Sequence, residues 1–144
     1  MRIIHFATLC LTLSSLTIFS HFAFAQSQVT PADLNGMLVV VNKSDNSVSL
    51  INAAEQKIIN TLPTGKGPHE LIVSDDGKWA VSTDFVGGDS LTVFDLSTQK
   101  VSRTINLEKY QGPHGIKFLK DQKRVAFTSG KSQNLVIANI HSGE

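Results

Sequence analysis

Two copies of one tripeptide, Gly67-Pro68-His69 and Gly112-Pro113-His114, set an imidazole at the same place in two segments 45 residues apart. Imidazole changes charge near neutrality and ligates metals, so imidazoles held together could bind an ion or an acidic ligand. Two are too few for tight metal binding by themselves, and the sequence assigns no metal and no cofactor. Glu70 directly follows the first of these His residues and could serve as a general acid or base, whereas the matching position in the second copy is Gly115. Further along, Asp84-Phe85-Val86-Gly87-Gly88-Asp89 carries two carboxylates in a segment whose glycines let the backbone approach a ligand. His69, His114, Glu70, Asp84 and Asp89 are therefore the candidate ligand-face residues. No catalytic residue is assigned, because no nucleophile elbow with a Ser-His-Asp order, no phosphate loop and no Cys-His zinc spacing is present. A His repeated in the same context also suits a structural role, its ring bonding backbone groups of a neighbouring strand. On that reading ligand contact falls to the residues that break the repeat, Glu70, Asp84 and Asp89.

The elements that must position these residues repeat with the tripeptide. Ser47–Asn52, Ser90–Asp95 and Asn134–Asn139 align as short strands ending in Asp or Asn, with β-branched and apolar side chains between. Each is preceded by another strand, Leu38–Asn42, Trp79–Thr83 and Arg124–Thr128, and the first two are followed by alternating strands at Lys57–Leu62 and Lys100–Leu107. A further strand after each Gly-Pro-His, Glu70–Ser74 and Gly115–Leu119, makes four per unit. Asp75-Asp76-Gly77 supplies a tight turn with Gly at the position that wants positive φ, while Lys120-Asp121-Gln122 has lost that Gly and predicts a looser or different turn. Asp95, Asn139 and Asn52 are expected to accept backbone hydrogen bonds in the turns that follow them. Trp79 is expected to pack blades together or cover an edge.

The stretch TLPTGKGPHELIVSDDGKWAVS resembles the YVTN-type β-propeller repeat, and the likeness extends over nearly all of Gly36 to Glu144. The resemblance implies an all-β fold, a partial β-propeller of four-stranded antiparallel blades, with a complete blade at 69–107 between incomplete ones at 36–62 and 114–144. At the signature tetrad only Asn42 keeps the family's Asn, with Thr83 and Thr128 standing for it elsewhere. Related propellers include lactonases and the haem-binding domain of cytochrome-type nitrite reductases, where His residues near the axis contact haem. An enzyme or cofactor carrier is thus the alternative to a binding or scaffold module. The strand count further predicts part of a longer propeller, able to self-associate through its open blade edges.

The first 25 residues read as a cleaved leader: Arg2 heads the apolar run Ile3–Phe19, and Ala23-Phe24-Ala25 is an A-x-A site. Export to the periplasm or the medium is the expectation, with residues 26–35 as a lead-in arm and no membrane span once the leader is gone. The single Cys, Cys10, lies in that leader, so the mature chain can form no disulfide. The whole chain has 13 Lys and Arg against 12 Asp and Glu. With Arg2 removed the two balance, and no basic stripe favours a nucleic acid. The expected partner is a protein, a glycan or a small ligand on the loop face.

Overall fold

The computed structural model describes residues 34–144 as ten antiparallel strands in three consecutive sheets. The leader expected at 1–25 and most of the arm at 26–35 lie outside the described residues. The first sheet is β1 (Met37–Asn42), β2 (Ser47–Asn52) and β3 (Lys57–Pro63). The second has four strands in order, β4 (Pro68–Val73), β5 (Trp79–Asp84), β6 (Ser90–Asp95) and β7 (Lys100–Asn106). The third is β8 (Pro113–Phe118), β9 (Arg124–Ser129) and β10 (Asn134–Asn139). The strands fall within a residue or two of their expected places, and the arrangement is that of partial propeller blades.

The repeat reaches down to irregularities. The pairing of β2 with β3 shifts between Leu50 and Ile51, and that of β6 with β7 shifts between Val93 and Phe94, the equivalent pair. Asp95 Oδ1 accepts from the Ser97 and Thr98 amides, Asn139 Oδ1 from those of His141 and Ser142, and Asn52 Oδ1 from that of Glu55. These three are turn-building residues, as their side chains suggest.

Two expectations need correction. The turn without Gly is not looser: Gln122 takes φ +54°, close to the +69° of Gly77, and its amide bonds Leu119 O just as that of Gly77 bonds Ser74 O. Local interactions offset the strain of a left-handed side-chain residue. The Gln122 side-chain oxygen accepts from the Asp75 amide at 2.8 Å and its Nε2 donates to Leu119 O at 3.1 Å, which also ties one blade to the next. The tetrad is the second correction. Asn42, Asp84 and Ser129 face Ser47, Ser90 and Asn134 respectively across their hairpins, so Asp84 and Ser129, not Thr83 and Thr128, occupy the place of the tetrad Asn.

Blades stick together through two apolar layers. Between the first and second sheets lie Val48, Leu50, Leu62, Ala80, Phe94 and Leu96, all buried. Between the second and third lie Val81, Val93, Ile105, Phe118, Val125, Phe127 and Ile140, with Trp79 packed against them and edge-on to His141 at 4.9 Å. Alternation along a strand sends neighbouring side chains to opposite faces. Val39 and Val41 pack towards the second sheet, so Leu38 and Val40 face outward and are 53% and 39% exposed. At the other end Val136 and Ala138 pack inward, leaving Leu135 and Ile137 at 74% and 52%. The central blade is covered on both faces; each outer blade presents one apolar face to water.

Candidate functional site

The inner strands are β4 and β8, which meet between the second and third sheets, and both begin at the proline of their tripeptide, so His69 and His114 stand in strands rather than in the turns before them. The glycine makes that start possible. Gly67 has φ +60°, and a Cβ there would stand 2.6 Å from the Val86 side chain. Its carbonyl accepts from the Phe85 and Val86 amides, and its own amide donates to Asn46 Oδ1 at 2.7 Å, pinning the first blade's loop to the second blade's inner strand.

The pairing then slips at His69 in β4 and within His114-Gly115 in β8. Pro68 pairs with Asp84 while Glu70 pairs with Thr83, and Pro113 pairs with Ser129 while Ile116 pairs with Phe127. A bulge of this kind re-aims side chains that strict alternation would send to opposite faces. Thr83 Oγ1 accepts the Glu70 amide at 3.1 Å and holds the bulge. In consequence Glu70 reaches from the second blade to the third, its Oε1 3.0 Å from His114 Nδ1. Gly115 lies beside this pair: a Cβ there would stand 3.9 Å from Glu70 Oε2, in ordinary contact with the carboxylate.

The two imidazoles meet across the blade boundary with ring centroids 4.5 Å apart. Phe85 stands edge-on to both, 5.5 Å from His69 and 5.0 Å from His114. One ligand atom from each of His69, Glu70 and His114 lies within 4.8 Å of the other two. His69 is exposed, and the side chains of His114 and Glu70 keep 42% and 38% of their surface. Among the described residues neither His ring bonds a backbone group, so the structural reading of the repeated His does not hold in the form expected. Partial exposure with an acidic partner and an aromatic wall is an arrangement that can take up a cation or an oxygen-rich ligand.

The two remaining candidates lie elsewhere. Asp84 does not face the open loop surface; it ends β5 and is fully buried. Its Oδ2 accepts from Ser90 Oγ at 2.5 Å and Thr92 Oγ1 at 2.9 Å, and its Oδ1 from Ser82 Oγ at 3.4 Å. Asn42 does the same work in the first blade, donating to Ser47 Oγ at 3.1 Å and Ser49 Oγ at 2.8 Å. Thr92 Oγ1 also accepts the Gly65 amide at 3.0 Å, which ties the segment between blades to this cluster. Burial raises the Asp84 pKa above its ordinary 3.8, and the hydroxyls only partly oppose it. Asp89 lies in the loop, half-buried, with Oδ1 3.7 Å from Lys131 Nζ of the next blade. It bridges blades and does not join the His cluster. Phe85 was not a candidate from the sequence; its apolar side chain between Asp84 and Val86 gave no chemical signal.

No curated protein matches this chain. Among solved structures, Kuenenia stuttgartiensis hydrazine synthase is similar, with a TM-score of 0.64 and 24% identity over 77% of this chain and 31% of that one. At that identity the likeness is one of fold, and the chain spans about a third of that protein's length. A family model described as YNCE-like beta-propeller matches residues 9–140. With a Gly-Pro-His bulge heading each inner strand and three blades stacked in order, the chain belongs to the YNCE-like β-propeller family.

Proposed function

We propose that the chain is an exported binding or scaffold module, non-catalytic, that takes its ligand on the face carrying the two Gly-Pro-His bulges. One observation carries this reading: His69, Glu70, His114 and Phe85 converge from two blades at the surface, and among the described residues no backbone group bonds either imidazole. The absence of a nucleophile elbow or phosphate loop supports a non-catalytic role, and the leader-like residues 1–25 support export. The covered share of its structural neighbour and the two apolar outer faces support a chain that works as part of a longer or assembled ring.

Amide-resolved NMR with a panel of glycan fragments, peptides and small carboxylates tests the ligand face. The resonances of His69, Glu70, Phe85 and His114 are expected to move together with at least one class. Shifts confined to other parts of the chain contradict the reading. Mass spectrometry of the exported protein should begin at Gln26; a chain retaining Met1 contradicts export.

A further inference from the structure

We propose that His69, Glu70 and His114 bind one divalent transition-metal ion of borderline softness, of which Zn²⁺ is the representative, leaving a coordination position open towards solvent. This deepens the ligand-face reading and rests on it. The donor set decides the class. Two imidazoles and a carboxylate suit zinc and its neighbours, whereas magnesium and calcium want all-oxygen sites. Geometry decides the place. Metal–ligand bonds of ~2.0–2.2 Å in a tetrahedral site put neighbouring donors roughly 3.3 Å apart. The Glu70 and His114 atoms are already at 3.0 Å, and the whole set lies within 4.8 Å, so rotation of half-exposed side chains closes the remainder.

An ion pair between Glu70 and His114 accounts for only part of this arrangement. It gives no reason for a second imidazole 4.5 Å from the first, nor for Phe85 standing edge-on to both. A shared ion does. The backbone under two of the donors is prepared as well, because His69 and Glu70 sit on β4, whose bulge is fixed by Gly67 and by the Thr83 hydroxyl, so there binding asks for side-chain movement alone. The fourth position would hold water or an oxygen atom of the module's ligand. No reaction at the ion is implied.

Calorimetric titration of Zn²⁺ into the full chain, prepared without a metal-binding tag, tests this. The expected result is one ion per chain with a dissociation constant of about micromolar or tighter, and no uptake of Mg²⁺. His69→Ala, His114→Ala and Glu70→Gln should each weaken binding by roughly tenfold or more, while His141→Ala, which alters only the contact with Trp79, leaves it unchanged. Cobalt absorption in the unaltered chain is the second readout and does not depend on a variant folding: an intense visible band from a low-coordinate ion is expected. No zinc uptake at millimolar concentration, uptake unchanged by the paired His substitutions, or only the weak spectrum of hydrated cobalt overturns the proposal. If zinc fails while organic ligands still shift the resonances of the same residues, the metal inference falls and the ligand-face reading stands. If both fail, the reading falls with it.

Discussion

The purified chain is expected to self-associate, and the combined substitutions Leu38→Lys, Val40→Glu, Leu135→Lys and Ile137→Glu are expected to release a monomer. All four side chains lie on sheet faces that point away from the neighbouring blade. Inside the chain the corresponding faces are covered, and Leu91, Val93 and Phe94 of the central blade expose nothing. Fully burying a side chain of this size contributes about 1.5–3 kcal/mol. Four that are already partly covered would contribute several kcal/mol in all, so the substitutions should weaken association by roughly two to four decades. Light scattering across a concentration series reads this directly. Because one outer face meets a different one, the contact is head-to-tail and yields rings or open filaments. A wild-type chain that stays monomeric at about 100 μM contradicts the expectation, since weak blade-to-blade contacts should be populated there.

Asp84→Ala is expected to cost about 2–3 kcal/mol, because the hydroxyls of Ser82, Ser90 and Thr92 would lose a shared acceptor in a buried place. Asp84→Asn keeps the shape and should cost less, and it isolates the charge. The sign of the pH effect follows from the direction of the shift. Burial raises the native pKa above 3.8, so between 3.8 and that raised value the folded chain holds a proton the unfolded chain has lost. The Asp84 contribution to stability is therefore greatest at low pH and declines as pH rises through that window. Asp76 and Asp121 act in the opposite direction. Ser74 and the Lys78 amide hold Asp76 below 3.8, and the Lys123 amide and Arg124 do so for Asp121, so their contributions are lost only as pH falls below that value. Urea unfolding of wild type and Asp84→Asn from pH 4 to 7 separates the two effects: the decline above 3.8 should be missing from the Asn variant. Parallel curves for the two proteins would show that the carboxylate does not titrate as its burial requires.

Strand positions were legible because each strand alternates or runs apolar between turn residues whose chemistry is local. The same locality explains the misreading of the tetrad. Lys43–Asn46 in the first blade and Phe85–Asp89 in the second differ in length, and without the cross-strand partners nothing shows on which side of Asp84 the strand ends. The pattern was nevertheless present: Ser90 and Thr92 repeat Ser47 and Ser49, the hydroxyls that a buried polar residue at the tetrad position needs. Gln122 was misjudged because its turn depends on a hydrogen bond to Asp75 in the preceding blade. At the site, the two His residues and Glu70 were visible as residue types, and the glycine opposite Glu70 was visible as a break in the repeat. Their convergence was not, since it requires a bulge in two strands and a reach across a blade boundary. Phe85 gains its role only from that convergence.

The repeated His residues serve either a ligand or the fold. Denaturant unfolding of the His69→Ala/His114→Ala double variant beside wild type, without added metal, decides this most directly. One exposed and one half-exposed imidazole, neither bonded to a backbone group among the described residues, should be removable within about 0.5 kcal/mol, with the midpoint and slope of unfolding nearly unchanged. A loss of about 1–3 kcal/mol per His, the cost of breaking buried hydrogen bonds, would show that the imidazoles hold the blades together and would contradict the claim that they form a ligand face.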